Sequence, residues 1–120
     1  MIYISNFFNK ELRNATIRCV SIARSEPKGW SGDKAPSLAP SWKLLNDWKQ
    51  GRITWIDYKI RYYEEVLSKL DVDQCAEALD GCVLLCWERG GTGPCHRYLV
   101  AQWLEAAGHI VVDLDEELIA

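Results

Sequence analysis

Cys82-Val83-Leu84-Leu85-Cys86-Trp87-Glu88-Arg89-Gly90-Gly91-Thr92-Gly93-Pro94-Cys95-His96-Arg97 is the stretch that decides the fold. Residues 82–87 are almost continuously apolar, as expected of a parallel strand covered on both faces. A glycine-rich loop follows, and Pro94 suits the first position of a helix because its missing N–H has no intrahelical partner there anyway. Strand, loop, helix is one half of a crossover unit, so an α/β sheet is expected around it.

Working outward, residues 2–5, 17–23 and 109–114 read as three more strands. Helices are expected over residues 42–50, stopped by Gly51, and from Thr54 onward, with Asp57 completing a capping box. The row Ile56, Ile60, Tyr63, Leu67, Leu70 follows the helical period and is expected to face the core. Further helices are expected over residues 71–79 and 96–107, the second carrying His96, Val100, Trp103 and Ala107 on one stripe. The sum is one α/β domain over residues 1–120, with a mostly parallel sheet of about four strands. Its weak point is the link between the first two strands, about ten residues and near the minimum for a parallel connection.

Composition narrows the class. In 120 residues, 48% are hydrophobic and 26% charged, which excludes disordered and collagen-like chains. No apolar run approaches the roughly 18 residues of a membrane span, and the start of the chain lacks the basic and apolar regions of a signal peptide. The expectation is a cytoplasmic protein whose five cysteines are reduced. A net charge of −3 argues against general nucleic-acid binding. Yet residues 1–62 hold 11 basic against 5 acidic side chains, and residues 63–120 hold 3 against 12, which allows a local basic pocket.

In parallel sheets the ligand site lies outside the carboxyl ends of the strands. Two segments meet that rule: the long loop of residues 24–40 and the glycine-rich loop after residue 88. Gly90, Gly91 and Gly93 allow close backbone approach, the N-terminus of the following helix offers free N–H groups, and Arg97 adds a guanidinium suited to phosphate. Arg24 and Lys28 supply further charge, while Trp30 and Trp87 can stack on a base or merely pack. Trp42, Trp48, Trp55 and Trp103 read as packing. The P-loop, the dinucleotide fingerprint, the cysteine-phosphatase signature and the Gly-x-Ser-x-Gly elbow are all absent.

Three residues are catalytic candidates. Glu88 at a strand end suits a general base or a salt bridge. Cys95, near a helix N-terminus, suits a nucleophile of lowered pKa or an inert turn residue. His96 reads as a site residue or as a packed core histidine. Zinc is weighed and set aside. Cys82 and Cys86 share a strand face but stand about 13 Å apart at roughly 3.3 Å per residue, and adjacent Cys95 and His96 are awkward co-ligands. No metal and no cofactor is expected.

Leu84-Leu85-Cys86-Trp87-Glu88 followed by Cys95-His96-Arg97 resembles the Leu-Cys-x-Glu…Cys-His-Arg hallmark of the "domain of unknown function 488" family. Ser21-Ile22-Ala23-Arg24-Ser25-Glu26-Pro27 resembles its second motif, a strand ending in Asp-x-Arg before Pro, with Ile22 standing where the family has the acid. The family's opening glycine-containing strand motif is absent at Tyr3-Ile4-Ser5-Asn6. The ending Trp103-Leu104…Gly108-His109-Ile110-Val111 also fits. The resemblance implies a Rossmann-like, three-layer α/β fold and assigns no activity.

Three functions follow as expectations. The first is binding of a phosphorylated, nucleotide-like small molecule by Arg24, Lys28, Trp30, Gly90, Gly91, Gly93 and Arg97. The second is a hydrolase or transferase in the same pocket, through Glu88 in N-glycosidic cleavage or Cys95 as nucleophile, with His96 beside it. The third is a protein-interaction module without catalysis, phage- or defence-associated, that uses the 24–40 loop and exposed aromatics; the resemblance implies short members of this sort in bacteria and their phages. Neither a membrane nor general nucleic acid is an expected partner.

Overall fold

The computed structural model describes residues 1–13, 15–88 and 95–115. Among them five strands form one sheet: β1 (Ile2–Asn6), β2 (Cys19–Ser21), β3 (Asp33–Lys34), β4 (Val83–Cys86) and β5 (Val111–Asp113). Four α-helices accompany it: α1 (Trp42–Lys49), α2 (Trp55–Glu65), α3 (Val72–Leu79) and α4 (His96–Ala106). The sheet order is β3-β2-β4-β1-β5, and every pairing is parallel. The α/β, Rossmann-like reading therefore stands.

β4 lies at the centre, with Leu84 in register with Ile4 on one side and Val20 on the other. None of its four residues exceeds 4% exposure, which is why its sequence is apolar throughout instead of alternating. Leu84 faces a core built from all four helices, including Leu44, Tyr58, Leu79 and Val100. Leu85 points the other way, toward a hollow walled by Phe7, Leu12, Ile17 and Trp30. Helices, sheet and this thin covering of coil make the three layers.

Two features were not expected. The fifth strand, β3, is two residues long and sits inside the 24–40 loop, too short to show a period in sequence. The short link after β1 does not join neighbouring strands, because β4 lies between β1 and β2. The chain crosses that position on the coil-covered face through a single 3-10 turn, Lys10–Leu12, capped by Asn9.

The helix ends follow local chemistry. Ser41 accepts from the backbone N–H of Leu44, Asp71 accepts from that of Gln74, and Thr54 and Asp57 form the expected reciprocal box. Gly51, with φ at 71°, makes the left-handed turn that ends α1. The expected row of the second helix holds only in part: Leu67 is buried and Leu70 packs on the core, but both lie beyond the end of α2. Ile56, Ile60 and Tyr63 are exposed, while Tyr58 and Tyr62 are buried. α2 carries apolar residues on two faces, and the aromatic one wins because Tyr58 and Tyr62 stack 6.2 Å apart and the Tyr62 hydroxyl donates to the Leu38 carbonyl. Among the described residues no helix is long and apolar enough to cross a membrane.

Candidate functional site

A cleft opens at the carboxyl ends of β2 and β4, as the parallel topology requires. Ala23, Arg24 and Ser25 leave β2 along one edge. Cys86 ends β4 at the floor, with Trp87 and Glu88 at the rim, and Cys95 and His96 enter at the start of α4. The far wall is aromatic: Trp42 and Trp48 of α1, with Trp55 and Tyr58 of α2. Trp55 stacks on Tyr58 at 4.9 Å, and Trp48 lies 5.4 Å from Trp55, so these three rings form one packed unit with the exposed Trp42 beside it.

α1 and α2 are held in place by charge. Asp47, buried between them, accepts from Arg61 at 2.8 Å, Arg52 at 3.2 Å and Lys43 at 3.4 Å. The hydrogen bond from Arg61 is the main reason its carboxyl is held down to about 2, with Arg52 and Lys43 adding to it. Arg24 fixes the opposite edge. Its guanidinium donates to the carbonyls of Pro40 and Ala39, tying the loop after β2 to the start of α1. The Trp87 indole N–H donates to the Ser25 carbonyl and joins the two loops across the cleft mouth.

At the floor, Cys86, Cys95 and His96 place their donor atoms within 4.8 Å of one another, all three residues buried. The sulfurs of Cys86 and Cys95 are in bonding contact as a disulfide, while their Cα atoms stand 7.3 Å apart. This corrects the expectation of five reduced thiols; Cys19, Cys75 and Cys82 are the free ones. His96 Nε2 lies 2.6 Å from the Ile22 carbonyl oxygen, which only a protonated Nε2 can satisfy. Nδ1 is thereby left with its lone pair facing Cys86 Sγ at 3.4 Å and Cys95 Sγ at 3.8 Å. Burial first, and the charge of Arg97 second, hold the imidazole down to about 4, so it is neutral at physiological pH.

Adjacent Cys95 and His96 do converge, against the sequence expectation. Cys95 is extended, with φ at −143° and ψ at 147°, whereas His96 is already the first helical residue. That break in backbone direction turns two consecutive side chains toward one point. Cys82, as expected, takes no part in the cluster.

The other sequence candidates scatter. Glu88 lines the cleft and is exposed. Lys28 is exposed and lies outside the cleft lining, and Trp30 packs edge-on against Phe7 at 5.4 Å in the hollow on the opposite face. Gly90, Gly91 and Gly93 lie outside the described residues. Arg97 does not reach the cleft either. It is fully buried, donates to Asp115 at 3.1 Å and to the Tyr98 hydroxyl, and leaves Nε and Nη1 without a partner among the described residues. Asp115 also accepts from Ser5 and Asn6, so this group closes the end of β1 from beneath.

Sequence reading missed the aromatic wall, Lys49 and the role of Cys86. Of the tryptophans read as packing, Trp48 and Trp55 do pack on the core as well as line the cleft, whereas Trp42 lines it and is exposed. The available signal was density, three tryptophans on two successive short helices, but nothing local says that those helices lean over the strand ends.

No curated protein and no solved structure matches the chain. A family described as the active DUF488-N3 subclade (DUF488-N3a) matches residues 5–108, a span that takes in the end of β1, strands β2 to β4, all four helices and every residue of the cleft. The chain belongs to the DUF488 family.

Proposed function

We propose that the cleft binds a planar, anionic, nucleotide-like small molecule. One observation carries this reading: a wall of stacked aromatic side chains faces a cleft edged by the cations Arg24 and Lys49, at the carboxyl ends of parallel strands. Aromatic faces hold planar rings, and guanidinium or ammonium groups at the mouth favour the charged part of such a ligand. The water-accessible space is about 90 Å³, several waters at roughly 10–15 Å³ each. That suits one ring inside the cleft, with the phosphate part extending past Arg24 and Lys49.

A second reading, in which the ligand is converted as well as bound, is favoured by the position of the chemistry. Cys86, Cys95 and His96 form the floor against which a bound ring would rest, and Glu88 sits at the rim. Glu88 then acts as general acid or base in N-glycosidic cleavage, or Cys95 as the nucleophile of a transfer reaction.

A thermal-shift screen of the reduced protein against nucleotides, dinucleotide cofactors, sugar phosphates and plain phosphate tests the binding reading. Stabilisation by compounds that join a ring to a phosphate is expected. A response to none of them would remove the small-molecule reading and leave a protein-interaction role in its place. For conversion, Glu88→Gln is expected to keep binding and lose turnover, and Cys95→Ser separates the nucleophile version in the same way.

A further inference from the structure

We propose that Cys86, Cys95 and His96 form a metal site, Cys2His in donor set and suited to zinc, with its fourth position open to the cleft. The inference rests on the floor cluster alone and does not require that the cleft bind a nucleotide.

Distances carry the first part. Tetrahedral zinc takes sulfur at about 2.3 Å and imidazole nitrogen at about 2.0 Å, which sets sulfur and nitrogen roughly 3.5 Å apart. The two sulfur-to-Nδ1 separations are 3.4 and 3.8 Å. The backbones fit as well. A Cα–Cα separation of 7.3 Å lies beyond the roughly 4.4–6.8 Å usual for a disulfide. Two thiolates that share an ion sit farther apart than two bonded sulfurs, and the wider backbone spacing accommodates them.

The surroundings carry the second part. Metal-bound histidine usually donates its other ring N–H to a carbonyl or carboxylate, which fixes both tautomer and ring plane. His96 does this through Nε2 to Ile22, a residue held rigidly at the end of β2 and fully buried. Cys86 ends the central strand, His96 opens α4 and Cys95 is the residue that caps it. Two thiolates and an imidazole match zinc in softness. Three protein ligands with an open fourth position are the pattern of catalytic zinc rather than structural zinc, and here that position faces the ring slot. Loading follows reduction of the Cys86–Cys95 disulfide by a thiol reductant, whose own two thiols become the disulfide as the pair takes up two electrons and two protons. Each thiol then gives up its proton as the ion binds, two protons released for one divalent cation. Cys95 is then a ligand instead of a nucleophile, and a metal-bound water takes the position facing the ligand, with Glu88 at the rim.

The test uses the full chain purified with reductant. Metal content by mass spectrometry is expected to approach one zinc per chain. After chelation, titration with cobalt(II) is expected to give a sulfur-to-cobalt charge-transfer band that saturates at one equivalent. Both signals should vanish in Cys86→Ser and Cys95→Ser and persist in Cys82→Ser. Because Cys86 and Cys95 are buried and their variants can misfold, thiol alkylation of the unmutated chain gives an independent readout: zinc is expected to protect two thiols and chelation to expose them. Protein that holds no stoichiometric metal under reductant and shows no cobalt band overturns the proposal, as does a Cys86–Cys95 disulfide that survives reductant and shuts out cobalt. Loss of ligand binding with the cobalt band intact would count against the nucleotide reading and leave the metal site standing.

Discussion

His96 Nε2 donates to the Ile22 carbonyl across 2.6 Å, and that one contact decides which ring nitrogen faces the two sulfurs below the cleft. It joins the first residue of α4 to the end of β2, across the central strand. Chemistry and architecture are therefore linked at this point, and disturbing one disturbs the other.

His96→Ala removes the donor and leaves the Ile22 carbonyl buried without a partner. A loss of about 1–3 kcal/mol is expected for such an orphaned group, read as a lower urea midpoint with little change in slope. An unaltered midpoint would mean that the contact contributes nothing to the fold.

Asp115 and Arg97 form a buried pair whose loss should be asymmetric. Asp115→Ala leaves a fully buried guanidinium without its carboxylate, for which about 3–5 kcal/mol of destabilisation is expected. The double replacement Arg97→Met with Asp115→Leu removes both charges and is expected to recover part of that loss in equilibrium unfolding. A double variant as unstable as the sum of the two singles would contradict this account of the pair.

Acid should loosen the aromatic wall. The Asp47 carboxyl is held down to about 2 from an ordinary value of 3.8, chiefly by its hydrogen bond from Arg61. A carboxyl depressed in the folded state contributes stability that is fully present above its ordinary value. That contribution fades as pH falls from 3.8 through about 2. Asp47→Asn is therefore expected to lower the melting temperature at neutral pH. The gap between variant and parent should narrow over that acid interval, as followed by tryptophan fluorescence. A gap that stays constant from neutral to acid would show that the Asp47 charge is not what joins α1 to α2.

Much of the frame was legible in the sequence because it is written locally. The apolar run through Val83 to Cys86 marks a doubly covered strand, and caps such as Thr54 with Asp57 depend on hydrogen bonds within one turn. The placement of β4 between β1 and β2 was not legible, since strand order comes from crossovers and not from any one segment. Nor was the inward face of α2: Ile56, Ile60 and Tyr63 have the correct period, but so do Tyr58 and Tyr62, and only the packed structure chooses. In the site, Arg24, Glu88, Cys95 and His96 were identified and do line one cleft. Lys28, Trp30 and Arg97 carry suitable chemistry but sit outside the cleft lining, Trp30 in the hollow on the opposite face and Arg97 buried against Asp115, because sequence nearness to a loop does not say where a side chain points. Cys86 was read as core, which its burial supports. Its meeting with Cys95 and His96 depends on how a strand end and a helix start face each other across the intervening loop.

The most direct measurement is calorimetric titration of the reduced protein with a ring-bearing phosphate found by the thermal screen, repeated on Trp48→Ala and Trp30→Ala. Trp48 stands in the cleft wall and Trp30 on the opposite face of the sheet. Loss of one stacking partner is worth about 1–3 kcal/mol, so Trp48→Ala is expected to weaken binding by about tenfold or more while Trp30→Ala binds like the parent. Equal affinity in Trp48→Ala and the parent, or a loss confined to Trp30→Ala, would contradict the assignment of the cleft as the ligand site.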